Sequence, residues 1–253
     1  MSNIYKAFKN KKAFITFLTA GDPDFETSVE NFKAVARAGA DLIEIGIPFS
    51  DPIAEGPVIQ EADIRALNAG MTTDRVFDLL REVRKDVDIP IVFMTYANPV
   101  YHYGAENFFE KASEAGADGI IIPDCPFEER HEFCDVAEKY GMDFISMIAP
   151  TSEDRIKEIA SQAKGFIYVV SSLGVTGVRS EIKTDLGSII ATIKEVTDTP
   201  TAIGFGISTP EQAKKMWEYA DGVIVGSAMV RIVAEYGKDA PEKLAEYVKS
   251  MRG

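Results

Sequence analysis

The 253-residue chain is 46% hydrophobic and 26% charged, enough apolar residue for a sizeable core and too much for disorder. Its formal charge of −13 repels nucleic acid and anionic membranes, so neither is an expected partner. No run of about 18 apolar residues, apolar signal core or lipidation motif occurs, so a cytoplasmic location is expected.

Short β-branched runs alternate with amphipathic stretches from one end to the other. After an extra N-terminal helix, strands are predicted at Ala13–Leu18, Leu42–Ile47, Ile91–Thr95, Gly119–Pro123, Phe144–Ile148, Phe166–Val170, Thr201–Gly204 and Gly222–Val225. Between them lie predicted helices at Thr27–Ala38, Thr73–Lys85, Asn107–Glu114, Phe127–Tyr140, Ser152–Ala163, Leu186–Val196 and Pro210–Tyr219, and Pro241–Met251 closes the chain. Strand–helix alternation of this kind predicts a (β/α)8 TIM barrel forming one domain over residues 1–253. Ala38-Gly39-Ala40-Asp41-Leu42-Ile43 recurs as Ala115-Gly116-Ala117-Asp118-Gly119-Ile120, one helix-to-strand turn used twice. An open doubly wound sheet is the runner-up, but Phe17-Leu18-Thr19-Ala20-Gly21-Asp22-Pro23 is no glycine-rich dinucleotide turn.

Barrel enzymes place their chemistry at strand C-termini. Here those positions carry Thr19, Asp22, Glu44, Ser50, Asp51, Glu55, Tyr96, Asn98, Asp124, Tyr168, Ser171, Gly204, Gly206, Gly226 and Ser227. Glu44 stands out as an acid inside the apolar run Leu42-Ile43-Glu44-Ile45-Gly46. Alternation turns it into the barrel if the isoleucines face the helices, and burial raises a carboxyl pKa towards the range useful for proton transfer. Glu55, eleven residues on in a loop punctuated by proline and glycine, could bring a second carboxylate over the mouth. Asp51 has a milder claim, since Ser-Asp-Pro is also a good turn.

Three glycine sites, Gly174-Val175-Thr176-Gly177, Gly204-Phe205-Gly206-Ile207-Ser208 and Gly226-Ser227-Ala228, follow the last three strands and have the makings of a phosphate cradle. None of the predicted strands offers an inward lysine for a Schiff base. His102 and His131, the two histidines, lie far apart and read as surface residues, so a multi-histidine metal site is excluded. Cys125 and Cys134 form no CxxC pair and are expected to be buried and inert. Carbon–carbon cleavage would then run on carboxylates, with the substrate supplying the electron sink.

From about Phe14 to the last helix, the chain resembles the α subunits of tryptophan synthase. The resemblance rests on Phe17–Pro23, Glu44–Pro52, Gly56-Pro57-Val58-Ile59-Gln60, Tyr96-Ala97-Asn98-Pro99, Gly174–Gly177 and Gly204–Ser208. It implies retro-aldol cleavage of indole-3-glycerol phosphate to indole and glyceraldehyde 3-phosphate. Glu44 matches the catalytic glutamate, which protonates the indole ring carbon and takes up the glycerol hydroxyl proton. Glu55 falls where the family usually has Asp in an Ala-Asp-Gly-Pro loop, and would accept the indole N–H. Phe17, Tyr168 and Phe205 match the pocket walls, and Gly177, Gly206, Gly226 and Ser227 the phosphate binders. The family also implies a β subunit as partner in an α2β2 complex, with loops Pro48–Glu55 and Leu173–Lys183 as lids and part of the interface, and no cofactor in this chain. The extra methylene of Glu55 is a departure of roughly 1.5 Å of chain, and misplacement of about 1 Å can cost about 100-fold in rate. The segment after Gly177, Val178-Arg179-Ser180-Glu181, also departs from the family pattern. Two other readings fit the residues: a sugar-phosphate isomerase or epimerase with Glu44 as base, and a regulatory subunit with feeble chemistry of its own.

Overall fold

The computed structural model describes residues 3–171, 185–204 and 206–252. Its strands are β1 (Ala13–Thr19), β2 (Leu42–Gly46), β3 (Ile91–Met94), β4 (Gly119–Ile121), β5 (Asp143–Phe144), β6 (Ser146–Ile148), β7 (Ile167–Val170), β8 (Thr201–Gly204) and β9 (Gly222–Val225). The helices are α1 (Tyr5–Phe8), α2 (Phe25–Ala38), α3 (Pro57–Asn68), α4 (Thr73–Arg84), α5 (Ala97–Tyr103), α6 (Ala105–Ala115), α7 (His131–Lys139), α8 (Glu153–Ser161), α9 (Leu186–Lys194), α10 (Pro210–Trp217), α11 (Ser227–Tyr236) and α12 (Ala240–Arg252).

All strand pairings are parallel, in the order β5-β4-β3-β2-β1-β9-β8-β7-β6. The two ends of that order, β5 and β6, are consecutive in the chain and separated only by Ile145. They are two halves of the predicted fifth strand: the first pairs with β4, the second with β7, and the sheet closes on itself as an eight-unit barrel. The break falls where the strand changes partner, and the Ile145 N–H still reaches the Ile120 carbonyl at 2.9 Å.

The strands are mostly apolar on both faces because both are covered. Ile43 and Ile45 of β2 face outward into the layer shared with the helices, where Phe32, Phe77, Phe93 and Phe108 are buried. Leu42, Ile15, Val92, Ile121 and Phe166 fill the barrel interior. Helix α2 starts at Asp24, whose carboxylate accepts the Thr27 N–H at 2.9 Å, and ends at Gly39 in the left-handed region (φ +113°) that glycine favours.

The N-terminal end of the barrel is plugged by α1 and the residue before it. Ile4 is fully buried, and the Phe8 ring lies 5.7 Å from that of Phe166. Two strand glycines make room: a Cβ on Gly119 would sit 3.1 Å from Ile4 Cδ1, and one on Gly222 would sit 3.0 Å from Phe8 Cε1.

Three sequence expectations need correction. The helix expected over Phe127–Tyr140 begins only at His131, because Phe127–Arg130 form turns in which the Arg130 guanidinium lies 3.6 Å from the Phe127 ring centre. No helix is predicted from Pro57, whereas it opens α3, with Pro57 in the first turn where its missing N–H costs nothing. Cys125 and Cys134 are partly exposed rather than buried.

Candidate active site

The C-terminal mouth is built from β2 outward. Glu44 pairs in register with Phe17 on β1 and Val92 on β3, and it is 1% exposed. Its Oε1 has no hydrogen-bond partner among the described residues. Burial first, and the charge of Glu55 second, push its pKa up from 4.5 to about 8. At neutral pH the group therefore holds a proton it can give away.

Glu55 is brought back over the barrel by the loop after β2 and is 4% exposed. Three contacts fix the backbone around it. The Glu55 N–H donates to the Pro52 carbonyl at 3.0 Å, Gln60 Nε2 donates to the Glu55 carbonyl at 2.8 Å, and the Ala54 N–H donates to the Tyr96 hydroxyl at 3.0 Å. Tyr96 in turn packs on Phe49 with ring centres 5.6 Å apart. Asp51 is exposed and accepts the Ser50 hydroxyl at 2.6 Å.

Tyr168 stands on β7, 5% exposed, facing the same interior. Burial, then Glu44, then Glu55 hold its hydroxyl pKa well above the usual tyrosine range. Its ring lies directly over Gly204 of the neighbouring strand, where a Cβ would overlap the phenol. Phe17 is 4% exposed and lies across Gly46, where a Cβ would come within 2.6 Å of its Cζ. The same side chain is 3.4 Å from where a Cβ on Gly226 would be. Phe17 thus links the ends of β1, β2 and β9.

Gly226 is the N-cap of α11 and Ser227 its first residue, so the N–H groups of that first turn, which have no partner within the helix, lie at the mouth beside Phe17. Gly206, after β8, adopts φ +83°, a left-handed conformation that an L side chain resists. Gly177, Phe205 and the expected lid Leu173–Lys183 lie outside the described residues.

Other strand-end polar groups are structural. Asp124 accepts the Ala97 N–H at 2.9 Å, and Asn98 is exposed. Asp22 accepts a bidentate pair from Arg65 Nε and Nη2, both at 2.8 Å. The sequence reading missed Asp63, an acid on α3 that is 5% exposed. It accepts the Thr19 hydroxyl at 3.4 Å and the Phe49 N–H, and burial followed by the charge of Glu55 raises its pKa to about 8. Ile59, Ala62, Asp63 and Ala66 form the buried stripe of α3, so an acid at an apolar position of a helical period was the available signal.

Beside the mouth, a cavity of about 320 Å³ runs between Ala54, Met147, Ala149 and Val170 and on to Phe127 and Cys125. Fold and site together define a (β/α)8-barrel enzyme whose mouth is furnished for proton transfer by carboxyl groups. The sequence profile of the tryptophan synthase alpha chain matches residues 5–252. A tryptophan synthase alpha chain from Lacticaseibacillus casei is 52% identical over 252 residues, covering 100% of this chain and 95% of that one. One from Thermoanaerobacter sp. is 45% identical over 259 residues, covering 100% of this chain and 99% of its own. Among solved structures, Mycobacterium tuberculosis tryptophan synthase superposes with a TM-score of 0.90 at 32% identity, covering 99% of this chain and 96% of that one. The tryptophan synthase complex from Pyrococcus furiosus gives 0.88 at 38% identity, with 96% and 98% covered. The chain belongs to the tryptophan synthase alpha chain family.

Proposed function

We propose that Glu44 and Glu55 are the acid–base pair of a retro-aldol lyase, and that the observation carrying this reading is two buried carboxyl groups at one barrel mouth, with the charge of Glu55 acting on Glu44. The chain is a carbon–carbon lyase of tryptophan biosynthesis that cleaves indole-3-glycerol phosphate. In our reading, the Glu44 carboxylic acid protonates C3 of the indole, and the cationic ring becomes the electron sink. The Glu44 carboxylate so formed takes the glycerol hydroxyl proton as the carbon–carbon bond breaks. Its electron pair restores the neutral ring, leaving indole and glyceraldehyde 3-phosphate with Glu44 protonated again. Glu55 accepts the indole N–H and stabilises the cation, worth about 100-fold or more for a well-placed group. Tyr168 and Phe17 wall the ring, with Phe205 expected beside them. Gly206, Gly226 and Ser227, together with Gly177, receive the phosphate through backbone N–H groups.

The reading includes a β subunit partner in an α2β2 complex, the assembly named for a Pyrococcus furiosus relative 39% identical to this chain. Ile53 (73% exposed) on the Glu55 loop and Tyr101 (76% exposed) on α5 are apolar groups that such a partner would cover. Among the described residues no helix is long and apolar enough to cross a membrane, and we place this single-domain barrel in the cytoplasm. Indole release from indole-3-glycerol phosphate, with and without added β subunit, tests the reading. Release accelerated by the β subunit is expected. Interconversion of the sugar phosphate without indole would favour an isomerase instead, and indole release unaffected by the β subunit would remove the partnership.

A further inference from the structure

Helix α7 opens with His131-Glu132-Phe133-Cys134-Asp135. Positions i, i+3 and i+4 share one face of a helix, so Phe133 turns into the core while His131, Cys134 and Asp135 stand together outside. His131 Nδ1 and Asp135 Oδ1 are 3.2 Å apart, Cys134 Sγ and Asp135 Oδ1 3.3 Å, and Cys134 Sγ and His131 Nδ1 3.8 Å. A tetrahedral Zn2+ with bonds of about 2.0–2.3 Å to N, O and S requires adjacent ligand atoms about 3.3–3.6 Å apart. The three atoms thus outline one face of such a tetrahedron within a few tenths of an ångström.

The surroundings permit a cation there. Lys164 is engaged by Glu138 at 2.7 Å. Arg130 donates to the Phe127 carbonyl and to Gln162 Oε1 and lies flat on the Phe127 ring. Both nearby positive charges therefore have partners of their own. A recess of about 290 Å³, lined by Cys134, Asp135, Glu138 and Gln162 and by the two engaged cations Arg130 and Lys164, opens beside the cluster and leaves space for a coordinated water. Imidazole, thiolate and one carboxylate form a borderline-soft donor set, matched to Zn2+, Co2+, Ni2+ or Cu2+ and poorly to Mg2+ or Ca2+.

We propose that His131, Cys134 and Asp135 form a surface site for a divalent cation of the Zn2+ class, with a fourth position open to water. Coordination replaces the S–H bond of Cys134 with an S–metal bond, and the displaced proton goes to solvent. Among the described residues no side chain caps the start of α7. The metal, bridging its first residue to the fourth and fifth, fixes that turn.

The test is titration of the full chain with Zn2+ by calorimetry and with Co2+ by absorption spectroscopy. One ion per chain is expected, with a thiolate-to-cobalt charge-transfer band and the visible bands of tetrahedral Co2+. Cys134→Ser and His131→Ala are each expected to remove the band and weaken Zn2+ at least about 100-fold, more than loss of a supporting group typically costs. Cys125→Ser, a control at the other thiol, is expected to bind as the parent does. The proposal is overturned if the parent binds no Zn2+ up to about 1 mM, or if Co2+ binds without the charge-transfer band. It is equally overturned if the band survives Cys134→Ser or disappears only in Cys125→Ser.

Discussion

Replacing Glu44 by Gln separates the two demands that the barrel makes on this residue. The folded protein holds the Glu44 pKa at about 8 against an ordinary value of 4.5. Below about pH 4.5 the group is protonated whether the chain is folded or not, and its burial costs least. As pH rises, the unfolded chain releases the proton and the folded chain keeps it. Stability therefore falls by about 1.4 kcal/mol per pH unit until the folded pKa is passed, on the order of 4 kcal/mol across the window. Glutamine has nearly the same shape and no charge to lose, so Glu44→Gln should lack this slope. Urea unfolding of both proteins at about pH 5 and about pH 8.5 measures it. Near-equal stabilities are expected at the lower pH, and a variant more stable by about 4 kcal/mol at the higher. Asp63 contributes its own slope in both proteins and cancels in the comparison. Indole release should meanwhile fall about 100- to 10,000-fold, the usual worth of a general acid–base group. If the two proteins lose the same stability between the two pH values, Glu44 is not held protonated by burial, and if indole release persists the catalytic assignment fails with it.

Glu55→Asp restores the residue usual in the family but withdraws the carboxylate from a loop fastened through Ala54, Pro52 and Gln60. Turnover is expected to fall about 10- to 100-fold, and a clear rise in kcat would show instead that glutamate is a handicap here. Asp63→Asn removes the second acid held near pKa 8. It should flatten part of the stability loss between about pH 4 and 8 while lowering indole release at pH 7 less than about tenfold, because Asp63 is engaged by the Phe49 N–H and the Thr19 hydroxyl. An unchanged stability profile would contradict its burial as a protonated acid. Gly204→Ala drives a Cβ into the Tyr168 ring. Destabilisation of about 1–3 kcal/mol and a raised KM are expected, and a variant with the parent's Tm and KM would mean that Tyr168 has room to move.

Much of this was legible because barrel strands are short apolar runs buried on both faces. Thr201–Gly204 and Gly222–Val225 were read to the residue. Glu44 was conspicuous for the same reason, as a carboxyl where the pattern demands an isoleucine. Helix α3 escaped because Pro57 looks like loop punctuation and because Asp63 interrupts the apolar stripe that marks a helix. The start of α7 was misjudged because Phe127 resembles a core residue of a helical face. It is instead held in a turn by guanidinium groups from Arg130 and, across a longer distance of 5.2 Å, from Arg155 on α8. No periodicity reveals a contact made between a turn and a distant helix. Cys134 is partly exposed because α7 turns Phe133 and Ala137, not Cys134, into the core.

Among the described residues, the plug of Ile4 and Phe8 closes the floor of this vessel. With the floor closed, substrate entry, water exclusion and product departure fall to the opposite end of the barrel, in sequence rather than side by side. Whatever sits there controls all three. A neighbour seated over Ile53 and Tyr101 would become the exit itself, so that the indole leaving one protein is already inside the next.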